Sequence, residues 1–539
     1  METREKRTGM EYAVGVQEFD WIRERGAVYV DKTAYVYRMA NNPAKYFFLS
    51  RPRRFGKSLL VDTLRCYFEG RKELFEGLFI YDKEKEWKKY PVVRLDLSRG
   101  KYYEESVVHG NLNSILNDHE QRWGITEIEE KYNYNARLTN IIQAAYRQTG
   151  ERVVILIDEY DAPMLDSIHK PELQDYIRER VRALFSPLKE QAQYLRFVFL
   201  TGISKFSQLS VFSELNNLQQ ITFDSAYEGI CGITEDELLT QMQPDIESLC
   251  ERMNKRYARW NIHYTYDEMV AKLKYWYDGY HFSKNMTDVY CPWSLVNAFA
   301  LGDIENFWFS TGTPTSLINI LRTRDIDMPE LEGFKTTMEQ FNAPTERIND
   351  PIPVLFQSGY LTLKDYNGLT QEWTLGFPNE EVYRGFARCL YLYYCEDYVN
   401  SQNKFSAVYR QFTQGELSLD EFLTYLQQFF SLMPYSISNK NEKHYQSILY
   451  ALLASVGADV SAEVQTAAAR MDIALKLKDA IYVLELKYNH TAENAIKQIK
   501  RKRYADAFLT DGRPVWAVGL NFNPTTRTLD DDWQVEQLR

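Results

Sequence analysis

Three residues near the end of the chain have the types and spacing that metal-dependent cleavage of a phosphodiester requires. Asp472, Glu485 and Lys487 follow the pattern Asp-x₁₂-Glu-x-Lys. In such sites carboxylates hold divalent cations, and a lysine positions water or stabilises charge. Glu485 and Lys487 share one face of a predicted strand, and Asp472 reaches the same point if the two strands form a hairpin. The pattern predicts that all three residues are catalytic and that the two acids bind Mg²⁺ or Mn²⁺; a solvated strand is the alternative.

Further charged residues surround this pattern. Glu442, on a predicted helix, and Glu463, on a predicted strand, are additional candidate acids, whereas His444 fits a structural histidine better than a metal ligand. The helix predicted after Lys487 carries residues for which we predict nucleic-acid binding: Gln498, Lys500, Arg501, Lys502 and Arg503. Basic helix faces attract phosphate backbones. The alternative is a basic face that contacts only solvent.

A second candidate site lies near the start of the chain, where Gly56-Lys57-Ser58 follows a predicted strand. At a helix N-terminus, backbone N–H groups can wrap a phosphate, a lysine can reach the outer phosphates and a serine can bind Mg²⁺. The usual loop has glycine where this chain has Arg51, so the loop must close differently. We predict that five residues of this loop bind ATP: Arg53, Arg54, Gly56, Lys57 and Ser58. Ser58 is also predicted to bind Mg²⁺. Three arginines are also candidates for an arginine finger: Arg51, Arg53 and Arg54.

An apolar run at 153–157 ends in Asp158 and Glu159, as expected for a central strand buried on both faces. In nucleotide hydrolases one acid at this place holds Mg²⁺ through water, and a second polarises the attacking water. We therefore predict that Asp158 binds nucleotide and metal and that Glu159 is catalytic. Thr201 follows another predicted strand and would stand beside this tip, where it either senses the γ-phosphate or caps the next helix.

Four motifs together resemble the bacterial AAA-ATPase-like family, whose members commonly end in a PD-(D/E)XK nuclease domain. They are Tyr29-Val30-Asp31-Lys32-Thr33, Arg51-Pro52-Arg53-Arg54-Phe55-Gly56-Lys57-Ser58, Ile157-Asp158-Glu159-Tyr160-Asp161-Ala162-Pro163 and Thr201-Gly202-Ile203-Ser204-Lys205. The resemblance implies a P-loop ATPase fold in which arginine at position 51 is usual. Tyr277-Asp278-Gly279-Tyr280 and Ser310-Thr311-Gly312 look like further landmarks without assigned chemistry.

The same resemblance covers the end of the chain. There the pattern of Asp472, Glu485 and Lys487 is similar to PD-(D/E)XK, with Arg470-Met471-Asp472 in place of a literal Pro-Asp. Gln498 matches a glutamine that is frequent in this nuclease family. A role in mobile elements or defence is suggested only by the settings in which members of this family occur.

The predicted elements give an α/β fold in three parts. Residues 1–225 alternate strands and helices, as a P-loop parallel sheet does, with strands at 46–49, 92–96, 153–157, 195–200 and 218–223. Residues 226–435 form a mainly helical middle region. Residues 436–539 follow the order αβββαβ of a restriction-endonuclease-like domain, with helices at 441–455 and 492–508 and strands at 460–466, 471–477, 481–487 and 515–520.

Composition narrows the class of protein. The net charge of −11 argues against a protein that coats nucleic acid over its whole surface, whereas acids and bases nearly balance from residue 436 onward. The six cysteines show no metal-ligand spacing, and no apolar stretch reaches the length of a membrane span. We therefore expect a cytoplasmic protein with reduced thiols.

The sequence predicts a protein that binds and hydrolyses ATP and couples this to a Mg²⁺-dependent nuclease. Its expected partner is nucleic acid, with DNA the first choice, and assembly into a homo-oligomer is a further option. The alternative is a nucleotide-dependent switch or scaffold whose C-terminal domain binds nucleic acid without cutting it.

Overall fold

The computed structural model describes most of the chain. The described residues are 11–126, 130–167, 170–204, 218–309, 328–341, 351–394, 398–431, 441–465, 470–508, 510–526 and 528–539. Lys205 of the fourth motif and Ser310-Thr311-Gly312 lie outside them, as does the side chain of Glu463.

The chain forms two compact units. The first comprises Met1–Phe307 and Lys335–Asn379, and the second comprises Trp308–Phe334 and Glu380–Arg539. Both units therefore contain parts of the predicted middle region. The division into 1–225, 226–435 and 436–539 rests on sequence texture and stays a prediction.

A five-stranded parallel sheet forms the centre of the first unit. Its strands are Tyr46–Ser50 (β1), Val92–Asp96 (β2), Val153–Asp158 (β3), Leu195–Gly202 (β4) and Gln219–Gln220 (β5). They lie in the order β2-β3-β4-β1-β5, and all neighbours are parallel, so the loops that follow them meet at one edge. Every residue of β1 and β3 is buried, and for β3 this was predicted from its apolar run. The strand predicted at 218–223 is shorter than expected.

Helices pack on one face of this sheet through an apolar core, to which residues such as Leu116, Ile141 and Val181 contribute. The helices of this part are Phe19–Glu24, Thr33–Ala40, Lys57–Phe68, Phe79–Lys83, Glu105–Arg122, Tyr134–Thr149, Ala162–Asp166, Pro171–Phe185 and Pro187–Glu190. The helix Lys57–Phe68 follows β1 directly and carries the predicted phosphate ligands at its first turn.

The middle of the chain is mainly helical, as predicted. In the first unit its helices are Glu235–Gln241, Gln243–Tyr257, Tyr266–Tyr277, Pro292–Leu301, Met338–Phe341 and Ile352–Gln357. Two small sheets accompany them. Ile233–Thr234 (β6) pairs with Val289–Tyr290 (β7), and Phe334–Thr336 (β8), Thr362–Asn367 (β9) and Glu372–Gly376 (β10) form a sheet in the order β8-β10-β9.

A mixed five-stranded sheet forms the centre of the second unit. Its strands are Asp459–Gln465 (β11), Arg470–Lys476 (β12), Ile481–Tyr488 (β13), Val515–Phe522 (β14) and Gln534–Gln537 (β15), which lie in sequence order. Only β13 and β14 are parallel. The helix Glu442–Ser455 precedes β11, and the helix Ala492–Lys502 connects β13 to β14. The predicted order αβββαβ is present, with β15 added at the edge.

The second predicted helix of this domain ends earlier than residue 508. Arg503 adopts a left-handed conformation with φ 55°, which terminates the helix, and Tyr504–Phe508 continues as a 3₁₀ turn. Further helices of the second unit are Met328–Leu331, Glu380–Tyr394, Tyr398–Thr413 and Leu419–Ser431.

Within the described ranges, no helix has the length and apolar character to cross a membrane. Four of the described cysteines are buried: Cys66, Cys231, Cys291 and Cys389.

Candidate active sites

The loop 51–58 turns sharply between β1 and the helix Lys57–Phe68. Arg54 and Gly56 have φ angles of 69° and 86°, and Gly56 immediately precedes the helix. Glycine adopts this left-handed conformation without steric cost. The first N–H groups of the helix have no acceptor within it, so this helix end can receive an anion.

Lys57 is buried at the start of this helix. Only 4% of the residue is exposed, and its Nζ donates to the carbonyl oxygen of Pro52 over 3.2 Å. The same Nζ lies 3.4 Å from Oε1 of Glu159. Glu159 has φ 47°, a conformation that is uncommon outside glycine and is found at functional sites. The predicted phosphate ligand and the predicted catalytic acid therefore form an ion pair.

Asp158 ends β3 beside Ser58 and Arg94. Burial and then the charge of Glu159 raise the pKa of Asp158 to about 6, against a hydrogen bond from Ser58 and the charge of Arg94. Arg94, on β2, lies 3.4 Å from Oδ2 of Asp158 and 3.0 Å from Oδ1 of Asp62. The structure thus brings together Ser58 and Asp158, the two predicted Mg²⁺ ligands. Arg94 was missed, because a single arginine in an apolar strand is the only local signal.

Thr201 and Asp161 complete this edge of the sheet. Strand β4 lies beside β3. Thr201 is therefore next to Asp158 at the end of β3, as the sequence predicted. Oδ2 of Asp161 accepts hydrogen bonds from N of Ile203 and from N and Oγ of Ser204, at 3.0, 2.7 and 2.6 Å. Asp161, which had no assigned role, therefore ties the loop after β3 to the end of β4.

Three buried oxygens at this edge have no hydrogen-bond partner in the described part of the chain: Oδ1 of Asp158, Oδ1 of Asp161 and Oγ1 of Thr201. A buried polar atom without a partner costs about 1–3 kcal/mol, so such atoms indicate that water or a ligand belongs beside them. The Ser58 hydroxyl and the Asp158 carboxylate are oxygen donors of the kind that Mg²⁺ prefers. These residues fit a nucleotide bound with Mg²⁺.

A cavity of about 500 Å³ adjoins the loop, a volume typical of small-molecule sites. All five predicted ligands from the loop line it, together with Glu159: Arg53, Arg54, Gly56, Lys57 and Ser58. Asp158 and Thr201 are buried, with 1% and 0% exposed. The cavity is also lined by segments that carry no predicted chemistry, at residues 15–17 and 292–293.

Two arginines of the loop have protein partners. Arg51 is 1% exposed, donates to the carbonyl oxygens of Thr222 and Tyr227, and lies 4.1 Å from the ring centre of Phe282. It therefore supports the backbone around the loop. The guanidinium of Arg54 donates to the carbonyl oxygen of Phe307 over 3.1 Å, whereas Arg53 is exposed at the cavity.

The second unit brings the predicted nuclease residues together. Strands β12 and β13 form the expected antiparallel hairpin, with Ile473 opposite Leu484, so Asp472 faces the position of Glu485. Oδ2 of Asp472 accepts a hydrogen bond from N of Leu486 over 2.9 Å. One oxygen each of Glu442, Asp472 and Glu485 lies within 4.8 Å of the others. Glu442, from the first turn of its helix, joins this centre as the sequence suggested.

Lys487 lies between two of these acids. Its Nζ donates to Oε1 of Glu485 and to Oε1 of Glu442, both over 2.9 Å. Burial alone would lower the pKa of Lys487, but the two carboxylates raise it overall. The lysine is therefore held in its charged form beside the acids.

The three carboxylates of the centre carry more negative charge than Lys487 alone can neutralise. Burial raises the pKa of Asp472 to about 6, and burial with the charge of Asp472 raises that of Glu485 to about 8. Glu485 is fully buried, and its Oε2 has no hydrogen-bond partner among the described residues. Clustered carboxylates repel one another unless protons or a cation neutralise them. A set of carboxylate oxygens with an unsatisfied member fits Mg²⁺ or Mn²⁺.

Gln498 lies at this centre rather than among the exposed bases of its helix. Its Nε2 donates to Oε1 of Glu485 and lies 3.5 Å from the hydroxyl of Tyr504. Tyr504 is buried and was missed by the sequence analysis. The sequence analysis singled out Gln498 because it matches a glutamine frequent in the nuclease family, and its spacing of three residues from the buried Ala495 is consistent with its place at the centre. Contact of Gln498 with nucleic acid stays a prediction.

The predicted basic face lies outside the centre. Lys500, Arg501 and Arg503 are exposed, and Lys502 is half-buried. Lys500 pairs with Glu536 at 2.6 Å and Arg503 with Asp506 at 2.8 Å. Exposed ion pairs of this kind are worth about 0–1 kcal/mol, so both cations can exchange their partners for phosphates at little cost.

Comparison with known proteins adds independent evidence on both units. Residues 13–212 match the AAA-ATPase-like family, described as "Predicted AAA-ATPase", and residues 440–532 match a family of the PD-(D/E)XK nuclease superfamily. A protein of Azotobacter chroococcum mcd 1, described as "Uncharacterized protein in vnfD 5'region", is 33% identical over 528 residues, which are 96% of this chain and 97% of that protein.

The fold and the two matches define an ATPase–nuclease architecture, in which an AAA-ATPase-like parallel sheet precedes a PD-(D/E)XK domain. The chain belongs to the AAA-ATPase-like family and ends in a PD-(D/E)XK nuclease domain, which confirms the resemblance seen in its motifs. Domains of these kinds use nucleotides and divalent metal ions.

Proposed function

We propose that this protein is a cytoplasmic ATPase whose nucleotide site controls a metal-dependent nuclease. The observation that carries the proposal is the buried centre of the second unit. There one oxygen each of Glu442, Asp472 and Glu485 lies within 4.8 Å of the others, with Lys487 bonded to two of these acids. A structural role alone gives no reason to gather three carboxylates around one lysine with Glu485 fully buried among them, since the cost of burying charge is high.

In the nuclease reaction Asp472 and Glu485 would hold the ion, with Glu442 as a third candidate ligand. Mg²⁺ or Mn²⁺ would polarise the phosphodiester and lower the pKa of the attacking water. Lys487 would position that water or stabilise negative charge on the phosphate. Gln498 binds one oxygen of Glu485 and so fixes its carboxylate, leaving the other oxygen for a ligand.

At the nucleotide site Lys57 would neutralise the outer phosphates at the helix N-terminus. Ser58 and Asp158 would hold Mg²⁺, and Glu159 would polarise the attacking water once it separates from Lys57. Arg94 and Asp161 would act as positioning residues, because they orient Asp158 and the end of β4.

The nucleic-acid partner is proposed to be DNA, bound outside the metal centre by the exposed bases of the last long helix: Lys500, Arg501, Lys502 and Arg503. Contact with phosphates would supply affinity without sequence preference. Assembly into a homo-oligomer and a role in mobile elements or defence remain hypotheses from the sequence.

The purified full-length protein tests the proposal on labelled single- and double-stranded DNA and RNA, with and without ATP, Mg²⁺ and Mn²⁺. We expect metal-dependent cleavage that is lost in Asp472→Ala and Glu485→Ala and changed by ATP. Binding of nucleic acid without cleavage under any condition would favour the alternative of a nucleotide-dependent scaffold. Cleavage that survives in both variants would place the nuclease site elsewhere.

A further inference from the structure

One part of the cavity beside the loop 51–58 is not used by phosphate or metal chemistry. Two segments distant in sequence contribute it: residues 15–17, which precede the first helix, and Pro292 and Trp293, which begin the helix Pro292–Leu301. Neither segment belongs to a motif with predicted chemistry. The cavity therefore contains an aromatic surface in addition to the charged groups around Lys57. Binding of phosphate and metal assigns no role to that aromatic surface.

Contacts from three directions hold Trp293 in place at this surface. Its Nε1 donates to the carbonyl oxygen of Phe307 over 3.2 Å. The guanidinium of Arg54 donates to the same oxygen and lies 5.1 Å from the ring centre of Trp293. A Cβ placed on Gly15 would lie at an ordinary contact distance of 3.6 Å from Cζ3 of Trp293, so the space between Gly15 and the ring is about one methyl group wide. Trp293 nevertheless remains half-buried and lines the cavity.

We propose that Trp293, with the backbone of residues 15–17, forms the surface on which the base of the bound nucleotide packs. The inference rests on the proposed nucleotide binding at Lys57. Arg54 is three residues before Lys57 in the same loop and contacts Trp293, so the aromatic surface adjoins the phosphate-binding end of the cavity. A flat heteroaromatic base packs favourably on an indole ring.

The size of the cavity and its mixed lining support a nucleotide rather than a phosphate alone. About 500 Å³ is typical of sites for whole small molecules. Gly15 has φ 78°, a left-handed conformation in which a side chain would be strained, so no side chain fills the space between this backbone and the ring. The phosphates then bind at Lys57 and Ser58, while the base contacts Trp293.

The test distinguishes the contribution of the base to affinity from that of the phosphates, by comparing the binding of ATP with the binding of inorganic tripolyphosphate. Calorimetry with Mg²⁺ would measure the affinity of the full-length protein and its variants for both ligands. Trp293→Ala and Trp293→Leu should bind ATP at least about tenfold more weakly, as expected from loss of one stacked base, and should bind tripolyphosphate as the wild type does. Trp293→Phe should retain most of the ATP affinity. Trp260→Ala is the control, because Trp260 is 52% exposed and stacks with Arg259.

Each outcome bears on one of the two proposals. A selective loss of ATP affinity in the Ala and Leu variants supports the base site, and unchanged tripolyphosphate binding shows that the variants are folded. Unchanged ATP affinity, or equal losses for both ligands, overturns the base site but leaves nucleotide binding intact. If the wild-type protein binds neither ligand, the proposed nucleotide site fails, and the base site fails with it.

Discussion

Lys57 and Glu159 form an ion pair at 3.4 Å at the wall of the nucleotide cavity. In the proposed mechanism Lys57 binds a phosphate and Glu159 polarises the attacking water, so neither group is available for that role while the two are paired. Binding of a phosphate at Lys57 would compete with Glu159 and release it. We propose that this pairing keeps Glu159 from polarising water until a phosphate binds.

Removal of the charge on Glu159 should make nucleotide binding tighter and hydrolysis slower. In Glu159→Gln the competition for Lys57 is relieved by about 1 kcal/mol, which corresponds to about fivefold higher affinity for ATP. Loss of the base should slow hydrolysis at least about a hundredfold. Calorimetry and phosphate release measure the two effects. Asp166→Asn, which also lines the cavity and pairs with Lys101, should change neither, and weaker ATP binding by Glu159→Gln would contradict the competition.

Replacement of Lys57 should remove the main attraction for the outer phosphates. Lys57→Ala is expected to weaken ATP binding at least about tenfold, because a charged hydrogen bond to phosphate contributes about 1.5–3 kcal/mol. Lys101→Ala is the matched control, since Lys101 lines the same cavity but is far more exposed. Equal ATP affinity in Lys57→Ala and the wild type would exclude this role.

Substitutions of the acids and of the lysine in the nuclease centre should differ in their effect on metal binding. Asp472→Ala and Glu485→Ala should lose both cleavage and Mn²⁺ binding, and each should be at least as stable as the wild type without metal, because carboxylate repulsion is relieved. Lys487→Ala should lose cleavage and keep Mn²⁺ binding. Calorimetry, thermal unfolding and a cleavage assay measure these effects. Asp479→Ala, an exposed acid in the turn of the same hairpin, should behave as the wild type, and Mn²⁺ binding by Asp472→Ala would contradict the assignment.

The bases beyond the metal centre should contribute affinity and no chemistry. Replacement of Lys500, Arg501, Lys502 and Arg503 with alanine should weaken binding of all DNA sequences similarly. It should also reduce the slope of affinity against salt by about 0.7–0.9 per lost phosphate contact. A titration at several salt concentrations measures the slope. The same exchange of four bases of the first unit, Lys83, Lys85, Lys88 and Lys89, is the control, and an equal change in both quadruple variants would contradict the prediction.

Asp278 should make the stability of the first unit depend on pH. Burial raises the pKa of Asp278 to about 7, above its value in the unfolded chain. Its contribution to stability is therefore fully present below about pH 4 and is lost as pH rises through 7, with a slope of up to about 1.4 kcal/mol per pH unit. Asp278→Asn should raise the unfolding temperature relative to the wild type at pH 8 more than at pH 5.

The exposed residue Asp267 of the preceding helix provides the control for this measurement. Asp267→Asn should shift the unfolding temperature equally at both pH values. If Asp278→Asn shows the same difference from the wild type at pH 5 and pH 8, then Asp278 does not titrate on unfolding in this range.

Much of both sites could be predicted from the sequence, because their signals are local. Hydrophobic runs identified β1 and β3, and the spacing of Asp472 and Glu485 required only a hairpin between neighbouring strands, which the structure contains. The position of Thr201 followed from the tendency of parallel strands to end at one edge. Such inferences depend on segments whose geometry is determined by backbone hydrogen bonds and side-chain alternation.

Contacts between side chains that are distant in sequence became visible only once the elements were packed together. The burial of Arg51 against Phe282, the contact of Arg94 with Asp158, and the position of Trp293 at the cavity join residues from separate elements. No local pattern encodes these contacts, since they depend on how helices and strands pack. Local sequence patterns were enough to predict the type of chemistry at each end of the chain, whereas packing sets which charges are buried, which are paired and which groups face a cavity.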